Sequence, residues 1–283
     1  MSEAAADRGA AEAPAAGRGT AIEGLRATGR RLRRIGHKGA DAIEHGNTLE
    51  SFHAAVAHGA EMIEFDVLRL HDGHPDADPR TRSPLVVAHD WHDAARRRPL
   101  TLHETLDAFT RSPLHEVEID LDLKLPGREE ELVAAVRERG LVGRSMVSTM
   151  YVESLSAIRE LEPGLRRGWT YPKVTRAWDR KGWAKPLVAA AMLSMRMRLP
   201  GIARRGIPEL EAAAMWVFHP LITGRLVDAV HDAEAELIAW TVDEPLRIRH
   251  LRELGVDGIC SNDPRMLHET AHAARDLAPP TGP

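Results

Sequence analysis

From residue 33 onward, short apolar runs alternate with longer segments whose apolar residues recur every three to four positions. The short runs predict strands at 33–37, 61–69, 116–124, 145–149, 165–170, 215–219, 236–242 and 256–260. The segments between them read as amphipathic helices with legible ends. Asn47 is placed to cap the first, with Glu50 completing a capping box, Leu49, Phe52 and Val56 on one face, and Gly59 as the stop. Residues 129–139 run into Gly140, residues 245–254 open on Pro245 and end before Gly255, and Asp263-Pro264 opens a last helix. Such alternation argues for a parallel sheet covered by helices. Eight units predict an α/β protein of the (β/α)8 TIM-barrel type.

Two stretches break the alternation. After the second strand, His71-Asp72-Gly73 signals a turn and a second apolar run, 85–89, follows with no helix between. This predicts a β-hairpin arm, its turn lengthened by the polar stretch 75–83. Residues 171–212 are far longer than a βα connection and contain Trp178, Trp183 and the Met-rich run 192–197 beside Arg196, Arg198, Arg204 and Arg205. They predict a long helical insertion or lid after strand 5. The expected organisation is one barrel domain over 31–275 between disordered tails at 1–30 and 276–283.

Composition narrows the function classes. A net charge of −4 over 283 residues, with no basic stripe interleaved with aromatics, argues against nucleic acid as a partner. The one cysteine, Cys260, excludes an internal disulfide and sits in an apolar run that predicts a buried thiol. No apolar stretch is long enough to span a bilayer, and the basic N-terminal segment is not followed by a signal-type apolar region. A cytoplasmic protein is expected, with 186–205 as the candidate segment for peripheral membrane contact and no obligate protein partner evident.

The candidate chemistry gathers at strand ends. Glu64 and Asp66 are two apart on a strand and share a face, an arrangement that is repulsive unless a cation or basic partner joins them. The strand Val117–Lys124 repeats the pattern, with Glu118, Asp120, Asp122 and Lys124 alternating with apolar residues. On a barrel the charged set points inward, tolerable mainly near the open C-terminal mouth, so Asp122 is a third candidate ligand and Lys124 a cation for phosphate or transition-state charge. Three carboxylates suit Mg²⁺ or Ca²⁺ better than Zn²⁺. His37 and His89 each end a strand-like run at the same expected mouth and suit acid–base work. Together these are the components of metal-assisted phosphodiester cleavage.

In its motifs the chain resembles the glycerophosphodiester phosphodiesterase family. The family's opening His-Arg-Gly and Glu-Asn-Thr correspond to His37-Lys38-Gly39 and Gly46-Asn47-Thr48, and its Ile-Glu-x-Asp-Val to Ile63–Val67. His89-Asp90, Asp122-Leu123-Lys124, Trp240-Thr241-Val242 and Gly255–Ile259 match further segments, so the resemblance covers about residues 33–270. It implies Glu64, Asp66 and Asp122 as ligands of one divalent cation, Mg²⁺ or Ca²⁺, with His37 and His89 as the acid–base pair. It also implies Lys124 near the phosphate, Lys38 in substrate binding and Trp240 as a wall beside the substrate. The implied reaction is hydrolysis of a glycerophosphodiester to an alcohol and glycerol 3-phosphate in phospholipid degradation. Alternatives are lysophospholipase D-like cleavage at a membrane surface and a non-catalytic phosphodiester-binding barrel. The chain departs from the family at Lys38, where the family has arginine, and at Gly46, where it has glutamate. The expectation is that these are coupled losses of one ion pair.

Overall fold

The computed structural model describes residues 32–70, 83–173 and 185–268. The expected tails, most of the hairpin turn, Trp178 and Trp183 lie outside the described residues. Its strands are β1 (Arg33–Gly36), β2 (Met62–Arg69), β3 (Leu85–Val87), β4 (Leu100–Thr101), β5 (Glu118–Leu123), β6 (Ser145–Thr149), β7 (Arg166–Tyr171), β8 (Ala214–Phe218), β9 (Glu236–Trp240) and β10 (Gly258–Ser261). The helices are α1 (Leu49–Ala57), α2 (Trp91–Arg96), α3 (Leu102–Phe109), α4 (Glu129–Glu138), α5 (Val152–Leu161), α6 (Lys185–Leu210), α7 (Gly224–His231) and α8 (Pro245–Leu254). The strands run in the order β1-β10-β9-β8-β7-β6-β5-β2, all parallel, and a β1–β2 pairing closes the ring. This is the eight-stranded barrel that the alternation predicts, each strand within a few residues of its expected place. β3 pairs antiparallel with the end of β2 and β4 with β3, so β3 starts opposite Arg69, runs back along β2 to Val87 opposite Val67, and brings His89 toward Asp66. Two-residue β4 has no periodicity to read.

Helix ends follow local chemistry, with one correction. α1 is capped by Thr48, whose side chain accepts from the Ser51 amide, and not by Asn47. Asn47 adopts φ 61 and turns its amide toward β2 instead. Gly59 (φ 73), Gly140 (φ 67) and Gly255 (φ 91) provide the left-handed residues that end α1, α4 and α8. Asp263-Pro264 opens a short 3₁₀ helix, Pro264–Leu267, and the chain beyond His268 lies outside the described residues. The second half of α6 is an ordinary barrel helix: Leu199, Ala203 and Ile207 are buried with α7 and the outer face of β8 and β9. Length alone makes this part of 171–212 look like inserted chain.

Alternation along each strand divides the core in two. Outward-facing residues pack under the helices, as in the Phe52–Phe65–Phe109 cluster with ring centroids 5.5–5.6 Å apart. Burial of each such ring contributes roughly 2–3 kcal/mol. Inward-facing residues fill the barrel in tiers. At the N-terminal end of the strands, Arg33 pairs with Glu236 (2.6 Å) and Glu118 (3.6 Å), and Arg166 pairs with Glu118 (3.1 Å). Above them Ile35, Met62, Met146, Trp216, Ile238 and Cys260 form an apolar tier. The charged row of β5 therefore runs the height of the barrel. Glu118 closes its floor, Asp120 is buried at mid-height on the Ser148 hydroxyl (2.7 Å), and Asp122 reaches the mouth. Burial pushes the Asp120 carboxyl well above the usual range.

Candidate active site

At the mouth, the register of β2 and β5 sets Asp66 opposite Asp122, and Glu64 lies one pleat below on the same face. Oxygen atoms of Glu64, Asp66 and Asp122 all lie within 4.8 Å of one another. Each acid has its own support. The Lys38 backbone amide donates to Glu64 (2.8 Å). Asn47 brackets Asp66, its side-chain amide donating to Oδ2 (2.7 Å) while its carbonyl accepts from the Asp66 amide (3.1 Å). The Lys124 Nζ stands 2.5 Å from both Asp66 and Asp122. Lysine thus sits on the acids and not out in the mouth.

The electrostatics follow from burial and crowding. Burial, then the neighbouring Asp66 charge, raises Glu64 well above the ordinary carboxylate range. Burial also works against an ionised Asp66, but Lys124, His89 and His37 override it and hold Asp66 low. Burial disfavours the Lys124 charge, yet Asp122 and Asp66 keep it protonated. Three hard carboxylates, one of them reluctant to ionise, form a donor set that a divalent cation fits. The fully buried Asp66 Oδ1 is met by the Lys124 ammonium alone, at 2.5 Å. Mg²⁺ and Ca²⁺ take oxygen donors of this kind.

His37 follows β1 directly and lies over the acids, Nε2 3.9 Å from Glu64. Its Nδ1 meets the Asn262 side-chain carbonyl oxygen at 2.6 Å. Burial lowers the His37 pKa, outweighing the opposing pull of Asp66 and Asn262. His89 is exposed at the rim, where its backbone amide donates to Asp93 (3.1 Å) and its ring lies 3.3 Å from Asp90. The two imidazoles thus differ in setting: one is part-buried and clamped, the other is open to solvent.

Lys38, in the left-handed region at φ 50, turns its ammonium to Asp41 (2.5 Å), and Asp41 also accepts from the Gly46 amide (2.8 Å). Lys38 thus has an acid partner within its own loop, although position 46 carries no side chain. A Cβ on Gly46 would lie 2.5 Å from Asp41 Oδ1 and 2.9 Å from Lys38 Cβ, so that acid and a side chain at 46 compete for one space. Trp240 ends β9 above the apolar tier, its ring 5.6 Å from Phe218, and its indole N–H is buried without a partner.

Four residues that the structure bonds into this cluster had no such place in the sequence reading: Asn47 on Asp66, Asp41 on Lys38, Asn262 on His37, and Asp243 on Asn262. Asn47 carries the signature of a helix cap, which conceals its bond to Asp66. Asn262 and Asp243 follow the ends of β10 and β9, the positions where a barrel presents its chemistry, and that placement was the available signal. Asp41 gave none, since only the folded loop brings it under Gly46.

A model of the glycerophosphoryl diester phosphodiesterase family matches residues 37–78 and 100–266. A glycerophosphodiester phosphodiesterase of Caldanaerobacter subterraneus is 27% identical over 256 residues, covering 82% of this chain and 95% of its own. One from Bacillus subtilis is 22% identical over 273 residues, covering 84% and 86%. Among solved structures, a glycerophosphodiester phosphodiesterase from Parabacteroides distasonis superposes with a TM-score of 0.63 at 17% identity, covering 86% of this chain and 98% of its own. An Oleispira antarctica phosphodiesterase, solved with the product sn-glycerol-3-phosphate, gives 0.59 at 18% identity, covering 85% and 96%. At these identities the structures establish the shared fold.

Proposed function

Because the chain belongs to the glycerophosphoryl diester phosphodiesterase family, we propose that it hydrolyses glycerophosphodiesters to an alcohol and glycerol 3-phosphate in phospholipid breakdown. The observation that carries this reading is the convergence of Glu64, Asp66 and Asp122 under His37 at one barrel mouth. Glu64, Asp66 and Asp122 would hold one Mg²⁺ or Ca²⁺. When bound, that ion supplies positive charge to a phosphoryl oxygen and to the charge developing on it. His37 and His89 serve as the acid–base pair, one taking the proton of the attacking hydroxyl and the other protonating the leaving alkoxide. Lys124 neutralises Asp66 and Asp122 and adds positive potential at the phosphate. Lys38, anchored by Asp41, lends a second ammonium, and Trp240 with Phe218 forms the wall beside the substrate.

The test is turnover of glycerophosphocholine, glycerophosphoinositol and lysophosphatidylcholine, each with and without EDTA. The reading expects cleavage of at least one glycerophosphodiester, abolished by EDTA, and a loss of two or more orders of magnitude in His37→Ala and His89→Ala, as for general acid–base groups. Turnover indifferent to EDTA, or near-wild-type rates in either histidine variant, would overturn it.

One observation favours a second reading, lysophospholipid cleavage at a membrane surface. Leu193 and Met197, one turn apart on α6, are 59% and 70% exposed beside exposed Arg196 and Arg198. An apolar pair flanked by arginines is a composition that lies on lipid interfaces. Among the described residues no helix is long and apolar enough to cross a membrane. Co-sedimentation with anionic vesicles, lost on replacing Leu193 and Met197 by serine, supports this reading; co-sedimentation unchanged by the replacement removes it.

A further inference from the structure

The surroundings of His37 divide the labour between the two histidines. Asn262 Nδ2 donates to Asp243 Oδ2 (2.7 Å), and the Asn262 backbone amide donates to Asp243 Oδ1 (2.8 Å). Ser261 Oγ donates to the same Oδ1 (2.9 Å). With its NH2 group committed to a carboxylate, the Asn262 amide has one orientation, and its carbonyl oxygen faces His37 Nδ1 at 2.6 Å. An oxygen there can only accept, so Nδ1 carries the hydrogen and the lone pair of the neutral ring is on Nε2. Nε2 is the nitrogen turned toward Glu64, inside the mouth.

We infer that Asn262 and Asp243 are positioning residues that fix the tautomer of His37 and thereby make it the general base, leaving His89 as the general acid. The inference rests on the phosphodiesterase reading above and deepens it. In the step, the attacking O–H gives its proton to Nε2 as its oxygen bonds to phosphorus. The bond from phosphorus to the departing oxygen breaks, and that oxygen takes a proton from the ring of His89. His37 then holds hydrogens on both nitrogens, and Asn262 still accepts from Nδ1, so the clamp serves the ring before and after transfer. Neither Asn262 nor Asp243 touches the reacting atoms.

The donor–acceptor pattern provides its own test. In Asp243→Asn, one of the two acceptor positions becomes an NH2 group. Facing Asn262 Nδ2, it turns that amide over and presents a donor to His37 Nδ1, which selects the opposite tautomer. In Asn262→Asp, two carboxylates meet across the 2.7 Å contact. In the double variant Asn262→Asp/Asp243→Asn, an acceptor faces Nδ1 again and a donor faces the carboxylate at 262, with the charge moved from position 243 to position 262. Each single change should lower kcat by about 10–100-fold, the usual cost of losing a group that orients a functional imidazole. KM should stay within about threefold, since substrate contacts are untouched. The double variant should recover most of kcat, which a purely structural role would not produce. In parallel, long-range ¹H–¹⁵N spectra at mildly alkaline pH, with the His37 signals assigned by their loss in His37→Gln, should show Nδ1 protonated and Nε2 bare in the wild-type chain.

A His37 ring protonated on Nε2, or kcat in either single variant within threefold of wild type, would overturn the inference. So would additive losses in the double variant. Should a single variant fail to fold, the wild-type spectrum decides the matter alone. A wild-type chain that turns over no phosphodiester defeats the functional reading instead, and is separable because the spectrum needs no substrate.

Discussion

Gly46→Ala probes the loop that holds Lys38. The new Cβ would stand 2.5 Å from Asp41 Oδ1 and 2.8 Å from its Cγ, so the carboxylate must swing away. It then loses the Gly46 amide (2.8 Å) and the Lys38 ammonium (2.5 Å). A hydrogen bond to a charged group contributes about 1.5–3 kcal/mol, and a partly exposed ion pair about 0.2–1 kcal/mol. Both sit at the low end here because solvent reaches Asp41. Replacing glycine restores roughly 0.5 kcal/mol by restricting the unfolded chain. The net expectation is a loss of about 1.5 kcal/mol, or roughly 3–6 °C in Tm for a domain of this size. Thermal and urea unfolding of Gly46→Ala, Asp41→Ala and the double variant measure it. With Asp41 already truncated only the 2.9 Å approach to Lys38 Cβ remains, so Gly46→Ala should cost less there, by a coupling of about 1 kcal/mol. Equal losses in both backgrounds would show that Asp41 is not what a side chain at 46 displaces. By the same logic Lys38→Arg with Gly46→Glu should act together only when Asp41→Ala clears the space, so activity should be higher in the triple variant than in the double.

Other outcomes follow from the site. Lys124→Met leaves the clustered acids without their ammonium, so the metal-free protein should lose about 3 kcal/mol, as when one partner of a buried pair is removed; millimolar Mg²⁺ or Ca²⁺ should restore much of it in thermal melts, and no such recovery would argue against a cation at these acids. Asn47→Ala removes both bonds to Asp66 and should weaken cation binding about tenfold by calorimetry, the typical cost of a lost supporting group; an unchanged affinity would deny it that role. Burial works against an ionised Asp93, but bonds from Arg97 and the His89 amide hold its carboxyl low. A depressed carboxyl stabilises above its unfolded value of about 4 and loses that contribution as pH falls through the folded value. Acid unfolding of Asp93→Asn should therefore show a shallower loss below about pH 4 than wild type, and parallel curves would refute the assignment.

The fold was legible because a barrel repeats one strand–helix unit, and each repeat writes its own period and punctuation. The acids were legible for a related reason. Alternation on β2 and β5 requires Glu64, Asp66 and Asp122 to share the interior, and the ends of the strands define the mouth. What sequence could not reveal was which side chain meets which. Lys124 reads equally as a phosphate ligand or as a partner of the acids, and only the register places its Nζ on Asp66 and Asp122. Asn47 satisfies the rules for a cap, yet Thr48 takes that role because Asn47 sits at positive φ. The clamp on His37 joins loops after three strands, with 225 positions between His37 and Asn262. No local pattern spans that interval.

The ion lattice of Arg33, Glu118, Arg166 and Glu236 makes the barrel a cul-de-sac. Among the described residues, charged pairs floor the barrel and an apolar tier lies above them, so its open end is the rim where His89 stands. Whatever the site takes in, it must release by the same route. On the proposed reading, a cleaved product would delay the next arrival until it departs, and glycerol 3-phosphate added from outside should compete with substrate at that rim.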